Sequence, residues 1–393
     1  MIKDFFEFII KGNIISNFII LKFGHLLISK SNTNNLKKYP LTNKSNYRSF
    51  KPQTFFYIKG YSSGTTNEPL TIYRSIKSVI LEEYFVKSYY FSKTKIYSPR
   101  YAVLRGEYII NEKVQKPPFW KIKPFTGKLI LSSIHLSDKN IIHYLRKLEN
   151  FKPDIIHAYP NAILLVAKKA LQLGWKLNWN LKSVFTGSET FKKSDKVIVK
   201  KVFKNVFDIY GQAERVAMFF MCKNFNYHVG ENYSKVEFIK DKLDYKIIGT
   251  NLDNKSMQFI RYDTGDRINS LPKNNCKCGI KGRFVKSIKG RKDDNIYLPD
   301  GRVLTRMDVA FKGVTEILEA QIIQKKINLI TINYVLNNNF EKDKTEQKLK
   351  KIFTKYFGRR VLIKIYMVKK IHRDKSGKFR SVKNLMKRNE KKN

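Results

Sequence analysis

Short apolar runs alternate with segments of helical periodicity through the middle of this chain. From residue 150 onward, the pattern predicts a strand at Ile155–Tyr159, a helix from Pro160 to Gly174, a strand at Leu181–Phe185, a basic helix at about Lys192–Phe203 and a strand at Val206–Tyr210. Strand–helix alternation of this kind is typical of a parallel, doubly wound sheet. Because ligands of such sheets bind at the carboxyl ends of the strands, we expect functional residues in the loops after these strands.

The flanking segments complete the predicted organisation. Upstream, the pattern predicts a strand in the apolar run Phe55–Ile58, a helix at Ser75–Lys87, strands at Tyr101–Ile110 and Gly127–Ser133, and a helix capped by Ser137-Asp138. Downstream, it predicts antiparallel strands at Val236–Ile239 and Met257–Tyr262, then strands at Ala320–Ile323, Leu329–Val335 and Val361–Met367, a helix at Glu341–Tyr356 and a basic tail at Arg373–Asn393. The predicted fold class is α/β, with a large N-terminal domain of doubly wound mixed sheets (1–290) and a small α+β C-terminal domain (291–393).

The N-terminal segment is apolar from Phe5 to Ile28, but it is not a clean membrane span of ~20 residues. Its interrupting residues are Lys11, Asn13, Asn17, Lys22 and His25. Helical spacing predicts a packed amphipathic helix whose apolar residues are Ile10, Ile14, Ile15, Phe18 and Leu21. The alternative is a helix that lies on a membrane surface. Since the segment also lacks a typical secretory leader, we expect a cytoplasmic protein without a transmembrane segment.

The chain is strongly basic, with 78 Lys and Arg against 32 Asp and Glu among 393 residues, a formal net charge of +46. Such a surface attracts polyanions, so a nucleic-acid-binding protein is one hypothesis. The lysines, however, are spread along the whole chain together with many Asn and Ile residues, as expected of an AT-biased genome. We therefore expect no specific nucleic-acid partner.

Three polar loops fall at predicted strand ends, at 62–66, 186–189 and 210–214. The first contains Ser63-Gly64-Thr65-Thr66. Gly64 lets the backbone approach a ligand, and the surrounding N–H groups and hydroxyls can hold phosphates. Taken alone, this segment could equally be a plain turn. The three loops together favour a nucleotide site.

The chain resembles adenylate-forming enzymes of the phenylacetate–CoA ligase and CapK-like (capsular polysaccharide biosynthesis) family. The matching motifs, in the order of the family, are Ser62–Pro69, Thr186-Gly187-Ser188-Glu189, Tyr210-Gly211-Gln212-Ala213-Glu214, Arg261-Tyr262-Asp263-Thr264-Gly265-Asp266, Gly290–Asp294 with Pro299-Asp300-Gly301, and Gly377-Lys378. The resemblance covers most of the chain. It implies a ligase that uses ATP and Mg²⁺ to activate a small carboxylic acid as an acyl-adenylate, with an acyl acceptor such as CoA. The branch also suggests a role in surface polysaccharide assembly.

The resemblance implies a role for each matching residue. Ser63, Gly64, Thr65 and Thr66 would hold the β- and γ-phosphates, Gly187, Ser188 and Glu189 would border the adenine, and Tyr210, beside Gly211, would stack on its ring. Glu214 would ligate Mg²⁺, Asp266 would bind the ribose hydroxyls, and Arg291 would lie near the ribose and phosphate. Asp293 would be the hinge of the mobile small domain, and Lys378 its catalytic lysine.

Some positions depart from the family pattern. Asn67 and Glu68 stand where glycine and often a basic residue occur, and Ala213 replaces the usual threonine. A carboxylate beside a triphosphate is electrostatically unfavourable unless it points away. These departures support an alternative, a non-catalytic nucleotide-binding relative. The sequence leaves the acid substrate, the acceptor and the oligomeric state open.

All three cysteines and one histidine form a potential metal-ligand set, which comprises Cys222, His228, Cys276 and Cys278. An odd number of cysteines with a Cys-x-Cys pair argues against a disulfide framework. A Cys₃His set is suited to tetrahedral zinc, and a closed site of this kind would be structural. The alternative is three buried free thiols. We expect packing or surface positions for His157 and His143.

Overall fold

The computed structural model describes residues 14–29, 36–62, 70–105, 109–111, 114–124, 126–189, 191–241, 243–251, 253–289, 295–304, 307–311, 314, 316–336, 340–369, 371 and 381–386. The helices are α1 (Ile14–Phe23), α2 (Ile76–Thr94), α3 (Ile141–Phe151), α4 (Pro160–Gln172), α5 (Lys193–Phe203) and α6 (Lys342–Phe357). The strands before residue 212 are β1 (Ile58–Tyr61), β2 (Thr71–Arg74), β3 (Tyr101–Leu104), β4 (Trp120–Ile122), β5 (Leu129–Leu131), β6 (Ile155–Ala158), β7 (Ser183–Gly187) and β8 (Val206–Gly211). The later strands are β9 (Met218–Met221), β10 (Tyr227–Val229), β11 (Lys235–Asp241), β12 (Asp244–Asn251), β13 (Phe259–Ile268), β14 (Phe284–Val285), β15 (Ile296–Tyr297), β16 (Val303–Leu304), β17 (Ile317–Lys326), β18 (Leu329–Leu336), β19 (Leu362–Met367) and β20 (Val382–Asn384).

A nine-stranded mixed sheet forms the centre of the large unit, in the order β14-β10-β9-β8-β7-β6-β3-β5-β4. Its middle strands, from β5 through β3, β6 and β7 to β8, are parallel. Antiparallel strands extend both sides. Helices α3, α4 and α5 bury their apolar faces against this sheet in one large hydrophobic cluster. Because β3, β6, β7 and β8 are parallel, their carboxyl ends lie along one edge of the sheet.

The strand–helix alternation predicted from residue 150 onward is present, with small shifts at the element ends. Pro160 is the first residue of α4, where its missing N–H removes no helical hydrogen bond. The predicted cap of α3 was wrong, because the helix begins at Ile141 after Asn140. Ser137 instead accepts a hydrogen bond from the Asn140 backbone N–H at 3.2 Å, one turn earlier.

Two smaller sheets lie beside the central one, and a shared cluster connects them. The hairpin β1–β2 flanks the predicted phosphate loop, and the strands β11, β12 and β13 form an antiparallel sheet. Leu70 and Ile72 of the hairpin pack with Val216, Phe259 and Tyr262 in one buried cluster. This packing holds three segments together that are far apart in sequence.

The C-terminal part forms a small α+β unit around a four-stranded sheet in the order β19-β18-β17-β20. Helix α6 buries Leu349, Phe353 and Phe357 in a core shared with β17 and β18. The sequence analysis missed β20, which lies inside the predicted basic tail and pairs in parallel with β17.

Two details of the predicted N-terminal region were wrong. In α1, Phe18 is 44% exposed whereas Ile20 is 7% exposed, so the buried face is not the predicted one. Phe55 and Phe56 are also outside any strand and are 89% and 72% exposed, since β1 begins at Ile58.

The fold class predicted from the sequence is confirmed: the chain is α/β, with a large mixed sheet and a small α+β unit. Among the helices that the structure describes, none combines the length and the apolar character that crossing a bilayer requires.

Candidate nucleotide site and cysteine cluster

The loop after β7 carries the residues expected at the adenine. Gly187 must lack a side chain, because a Cβ there would lie 2.9 Å from the Ile209 carbonyl oxygen on β8. Ser188 follows in the left-handed region with φ 73°. Glu189 accepts a hydrogen bond from the Asn161 backbone N–H at 2.9 Å, which ties the loop to the start of α4. The loop therefore packs closely against β8 at Gly187 and is hydrogen-bonded to α4 at Glu189.

Tyr210 and Asp266 meet at the end of β8. The Tyr210 hydroxyl donates to Asp266 Oδ2 at 2.9 Å. Burial, and then the charge of Asp266, raise the pKa of Tyr210 well above its usual value, so the phenol stays protonated as a donor. The contact joins two of the predicted motifs, because Asp266 lies on β13 of the neighbouring sheet.

Glu214 lies in the turn after β8 and is only 8% exposed. The Tyr262 hydroxyl donates to its Oε1 at 3.2 Å. Arg74 of β2 donates to the carbonyl oxygen of Ala213 at 2.9 Å. Burial, then Arg215, lower the pKa of Arg74 to about 10, so this guanidinium remains charged at neutral pH beside the turn. The turn is thereby connected to the hairpin that flanks the predicted phosphate loop.

Several predicted residues lie outside the described part of the chain. They are Ser63, Gly64, Thr65, Thr66, Asn67, Glu68, Arg291, Asp293 and Lys378. The residues that border the phosphate loop are described: Ser62 and Leu70 exchange backbone and side-chain hydrogen bonds at 3.0 Å. The two residues that flank the loop are therefore paired with each other and buried, and Leu70 packs in the cluster that contains Tyr262.

Arg105 is a candidate functional residue that the sequence analysis missed. It follows β3, and its guanidinium donates to Ser188 Oγ at 2.8 Å and lies 3.1 Å from His157 Nε2. The same group lies over the Tyr159 ring at 4.8 Å. A positive charge is therefore fixed at the strand ends. His157, expected at a packing or surface position, packs against the Tyr90 ring and meets Arg105 because β3 and β6 pair in parallel register.

His157 gives a pH-dependent prediction. Burial, then Arg105 and Lys128, lower its pKa well below 6.5, so the folded protein keeps the ring neutral. The unfolded chain binds this proton near pH 6.5, so the contribution of His157 to stability is present above that pH and is lost as the pH falls. We expect the free energy of unfolding of the wild type to fall by about 1.4 kcal/mol more per pH unit, below pH 6, than that of His157→Gln. Chemical denaturation between pH 7 and pH 5 measures both slopes, with His143→Gln as the control; parallel slopes for all three proteins would contradict the prediction.

A buried polar network lies beneath the ends of β7 and β8. Asp208 accepts hydrogen bonds from Thr186 Oγ1 at 2.6 Å and from the Tyr227 hydroxyl at 2.5 Å. Lys196 of α5 donates to the same hydroxyl at 2.9 Å and lies 4.6 Å from the centre of the Tyr227 ring. Burial raises the pKa of Asp208 and lowers that of Lys196. The Thr186 side chain is therefore fixed to Asp208 of β8, directly before the loop that contains Ser188 and Glu189.

The four predicted metal ligands form a compact cluster. The donor atoms of Cys222, His228, Cys276 and Cys278 all lie within 4.8 Å of one another. Cys222 Sγ is 3.8 Å from Cys276 Sγ, and Cys278 Sγ is 3.2 Å from His228 Nε2. The segments that carry them are joined by the pairing of β9 and β10 and by the pairing of β10 and β14.

The cluster also has features of a metal-binding environment. The Asn226 amide donates to Cys276 Sγ at 3.2 Å, and the Ile280 backbone N–H donates to Cys278 Sγ at 3.4 Å. Burial opposes ionisation of Cys276, but hydrogen bonds from the Asn226 amide, the Cys278 backbone N–H and the thiols of Cys278 and Cys222 lower its pKa. Burial raises the pKa of Cys222 to about 11. The donor set and its spacing fit a tetrahedral zinc ion, whose charge would favour the thiolate forms.

Comparison with known proteins supports the resemblance drawn from the motifs. Residues 296–385 match the CapK C-terminal domain. Protein CapK of Staphylococcus aureus is 23% identical to this chain over 394 residues, which cover 96% of this chain and 86% of that protein. The resemblance to CapK-like proteins is therefore confirmed.

Among solved structures, 2-hydroxyisobutyryl-CoA ligase in complex with 2-HIB-AMP and CoA has 14% sequence identity and a TM-score of 0.49, over 88% of this chain and 80% of that one. The amide bond synthetase McbA from Marinactinospora thermotolerans has 12% identity and a TM-score of 0.40, over 82% of this chain and 67% of that one.

Proposed function

We propose that this protein is a cytoplasmic ligase that uses ATP and Mg²⁺ to activate a small carboxylic acid as an acyl-adenylate. The observation that supports this most strongly is the convergence of separate motifs at one edge of the central sheet. Tyr210 contacts Asp266, Tyr262 contacts Glu214, and Tyr262 packs against the hairpin that borders the predicted phosphate loop. Similarity to CapK over nearly the whole chain agrees with this arrangement.

The described residues fit the roles that we assign to them. Asp266 would accept hydrogen bonds from the ribose hydroxyls, because a carboxylate has several acceptor positions. Gly187, Ser188 and Glu189 would border the adenine, and Tyr210, with Gly211 beside it, would stack on its ring. Glu214 offers a carboxylate for Mg²⁺, which would supply positive charge to the phosphates as the acid attacks. Attack by the acid displaces pyrophosphate, so the chain needs no covalent nucleophile.

The residues outside the described part complete the proposal. Ser63, Gly64, Thr65 and Thr66 would hold the phosphates, and Arg291 would lie near the ribose. We assign Asp293 as the hinge between a domain at 1–290 and a mobile domain at 291–393, and Lys378 as the catalytic cation. A lysine carried on a mobile domain can stabilise the charge of the transferred phosphoryl group only when that domain closes.

The second half-reaction would transfer the acyl group to an acceptor such as CoA, an amine or a hydroxyl. The relation to CapK suggests a substrate from surface polysaccharide assembly. We also propose that the Cys₃His cluster holds a structural zinc ion, because four donor atoms of the right type lie close enough to share one ion.

Acid-dependent exchange of labelled pyrophosphate into ATP tests the proposed reaction. We expect exchange that requires Mg²⁺ and one member of a panel of small carboxylic acids. ATP binding in calorimetry without exchange with any acid would instead identify a non-catalytic nucleotide-binding relative, as Asn67, Glu68 and Ala213 suggest. Mass spectrometry of the products formed with ATP and a cell extract would then identify the acid and the acceptor.

A further inference from the structure

A basic cleft of about 760 Å³ lies on the small unit, separate from the residues assigned to the adenylate. Its lining residues come from helix α6 and the segment after it, together with Gln115 and Pro299. We define the cleft cations as Arg302, Lys350, Lys351, Lys355, Arg359 and Arg360. The only acidic residue among the lining residues of the described chain is Asp300, so the cleft is strongly positive.

Arg302 makes the wall of the cleft rigid. It is 5% exposed and donates to the carbonyl oxygens of Ile134 at 3.3 Å and Tyr356 at 3.2 Å. Its Nε also donates to Asp300 Oδ2 at 2.8 Å, which neutralises that carboxylate. Arg302 thereby fixes the end of α6 against the large unit, and Asp300 does not offset the other cleft cations.

The remaining cleft cations are exposed and have no carboxylate partner within the described ranges; they are Lys350, Lys351, Lys355, Arg359 and Arg360. Other lysines of the same helix are paired: Lys344 with Glu341 at 2.9 Å, and Lys348 with Glu316. Lys351 and Lys355 are four residues apart on one face of α6, so their side chains lie together along the cleft.

We propose that this cleft binds a soluble molecule that carries two or three linked phosphate groups. Guanidinium groups bind phosphate oxygens in pairs, and lysines add mobile point charges, so this combination suits a polyphosphate. The volume lies within the range of about 300–1,000 Å³ that is typical of small-molecule sites. A concave site of this size favours a compact ligand of nucleotide size over an extended nucleic acid. The proposal does not depend on the adenylation chemistry.

Calorimetry with inorganic tripolyphosphate and with UDP tests the cleft. The cleft variant is Lys351→Gln/Lys355→Gln/Arg359→Gln, and the control is Lys342→Gln/Lys344→Gln/Lys364→Gln, which removes the same charge from exposed positions outside the cleft. We expect the cleft variant to weaken binding of both probes by about tenfold or more and the control by less than about twofold. Arg359→Gln alone serves if the triple variant does not fold.

Two results would overturn the proposal. Equal weakening in both variants would attribute binding to the overall charge of the chain. The second result is a wild-type protein that binds phosphatidylserine vesicles but neither soluble probe, together with a cleft variant that no longer binds the vesicles. This result would assign the cleft to a membrane surface. Pyrophosphate exchange is measured separately. A wild-type protein without exchange activity would contradict the proposed function but would not affect the conclusion about the cleft.

Discussion

Glu214→Gln is expected to lower the rate of acid-dependent pyrophosphate exchange by about 10²–10³-fold, the scale of losing one strong electrostatic contact in a catalytic site. Glutamine has nearly the same shape and keeps an oxygen that can accept the Tyr262 hydroxyl, which donates to Glu214 Oε1 at 3.2 Å. The substitution therefore removes the negative charge with little change in packing. Because Mg²⁺ prefers charged oxygen ligands, the Mg²⁺ concentration for half-maximal exchange should also rise.

Two control variants separate the charge of Glu214 from its structural contact. Tyr262→Phe removes the hydrogen bond and keeps the carboxylate, so we expect less than about a tenfold loss of exchange. Glu82→Gln removes a carboxylate that instead lies 3.6 Å from Arg215 Nε, and it should leave the Mg²⁺ dependence unchanged. Exchange by Glu214→Gln at the wild-type rate, with the wild-type Mg²⁺ requirement, would exclude Glu214 as the ligand.

The parallel core was predictable because its strands are short apolar runs and its helices carry apolar residues at helical spacing. The strand at Ile155 and the helix that begins at Pro160 carry that signal locally. In contrast, β20 consists of only Val382–Asn384, and its pairing with β17 depends on a partner about 60 residues away. The predicted buried face of α1 was also wrong, because seven of its ten residues are apolar and lie all around the helix, so their spacing does not define one face.

Residue type and order predicted the members of the candidate site, whereas the contacts between them depend on tertiary pairing. The cysteines stood out because the chain has only three, and the structure brings all of them to His228. Arg105 gave no such signal, since it is one of 78 basic residues. It meets His157 and Ser188 across 52 and 83 residues, through the register of neighbouring parallel strands.

Removal of zinc is expected to have the largest effect on stability. Zinc binding to structural sites is worth about 10–16 kcal/mol in zinc-finger peptides, and here the site would join β9, β10 and the loop before β14. We expect the purified protein to contain a single zinc ion per chain and to lose at least about 10 °C of thermal stability in excess chelator, because several kcal/mol of stability would be lost. Elemental analysis and calorimetry measure the two quantities.

The ligand variants make this prediction specific. Cys276→Ser should abolish stoichiometric zinc and lower the melting temperature in zinc-containing buffer, because a serine hydroxyl is a poor substitute for a thiolate that the Asn226 amide already stabilises. His25→Ala, which changes an exposed histidine outside the cluster, should keep both zinc and stability. Without zinc, the melting temperature of Cys276→Ser should be close to that of the wild type, because neither protein then contains the ion that the Cys276 thiolate would bind. Wild-type protein that binds no zinc and has a chelator-independent melting temperature would instead show that the cluster consists of buried free thiols beside His228.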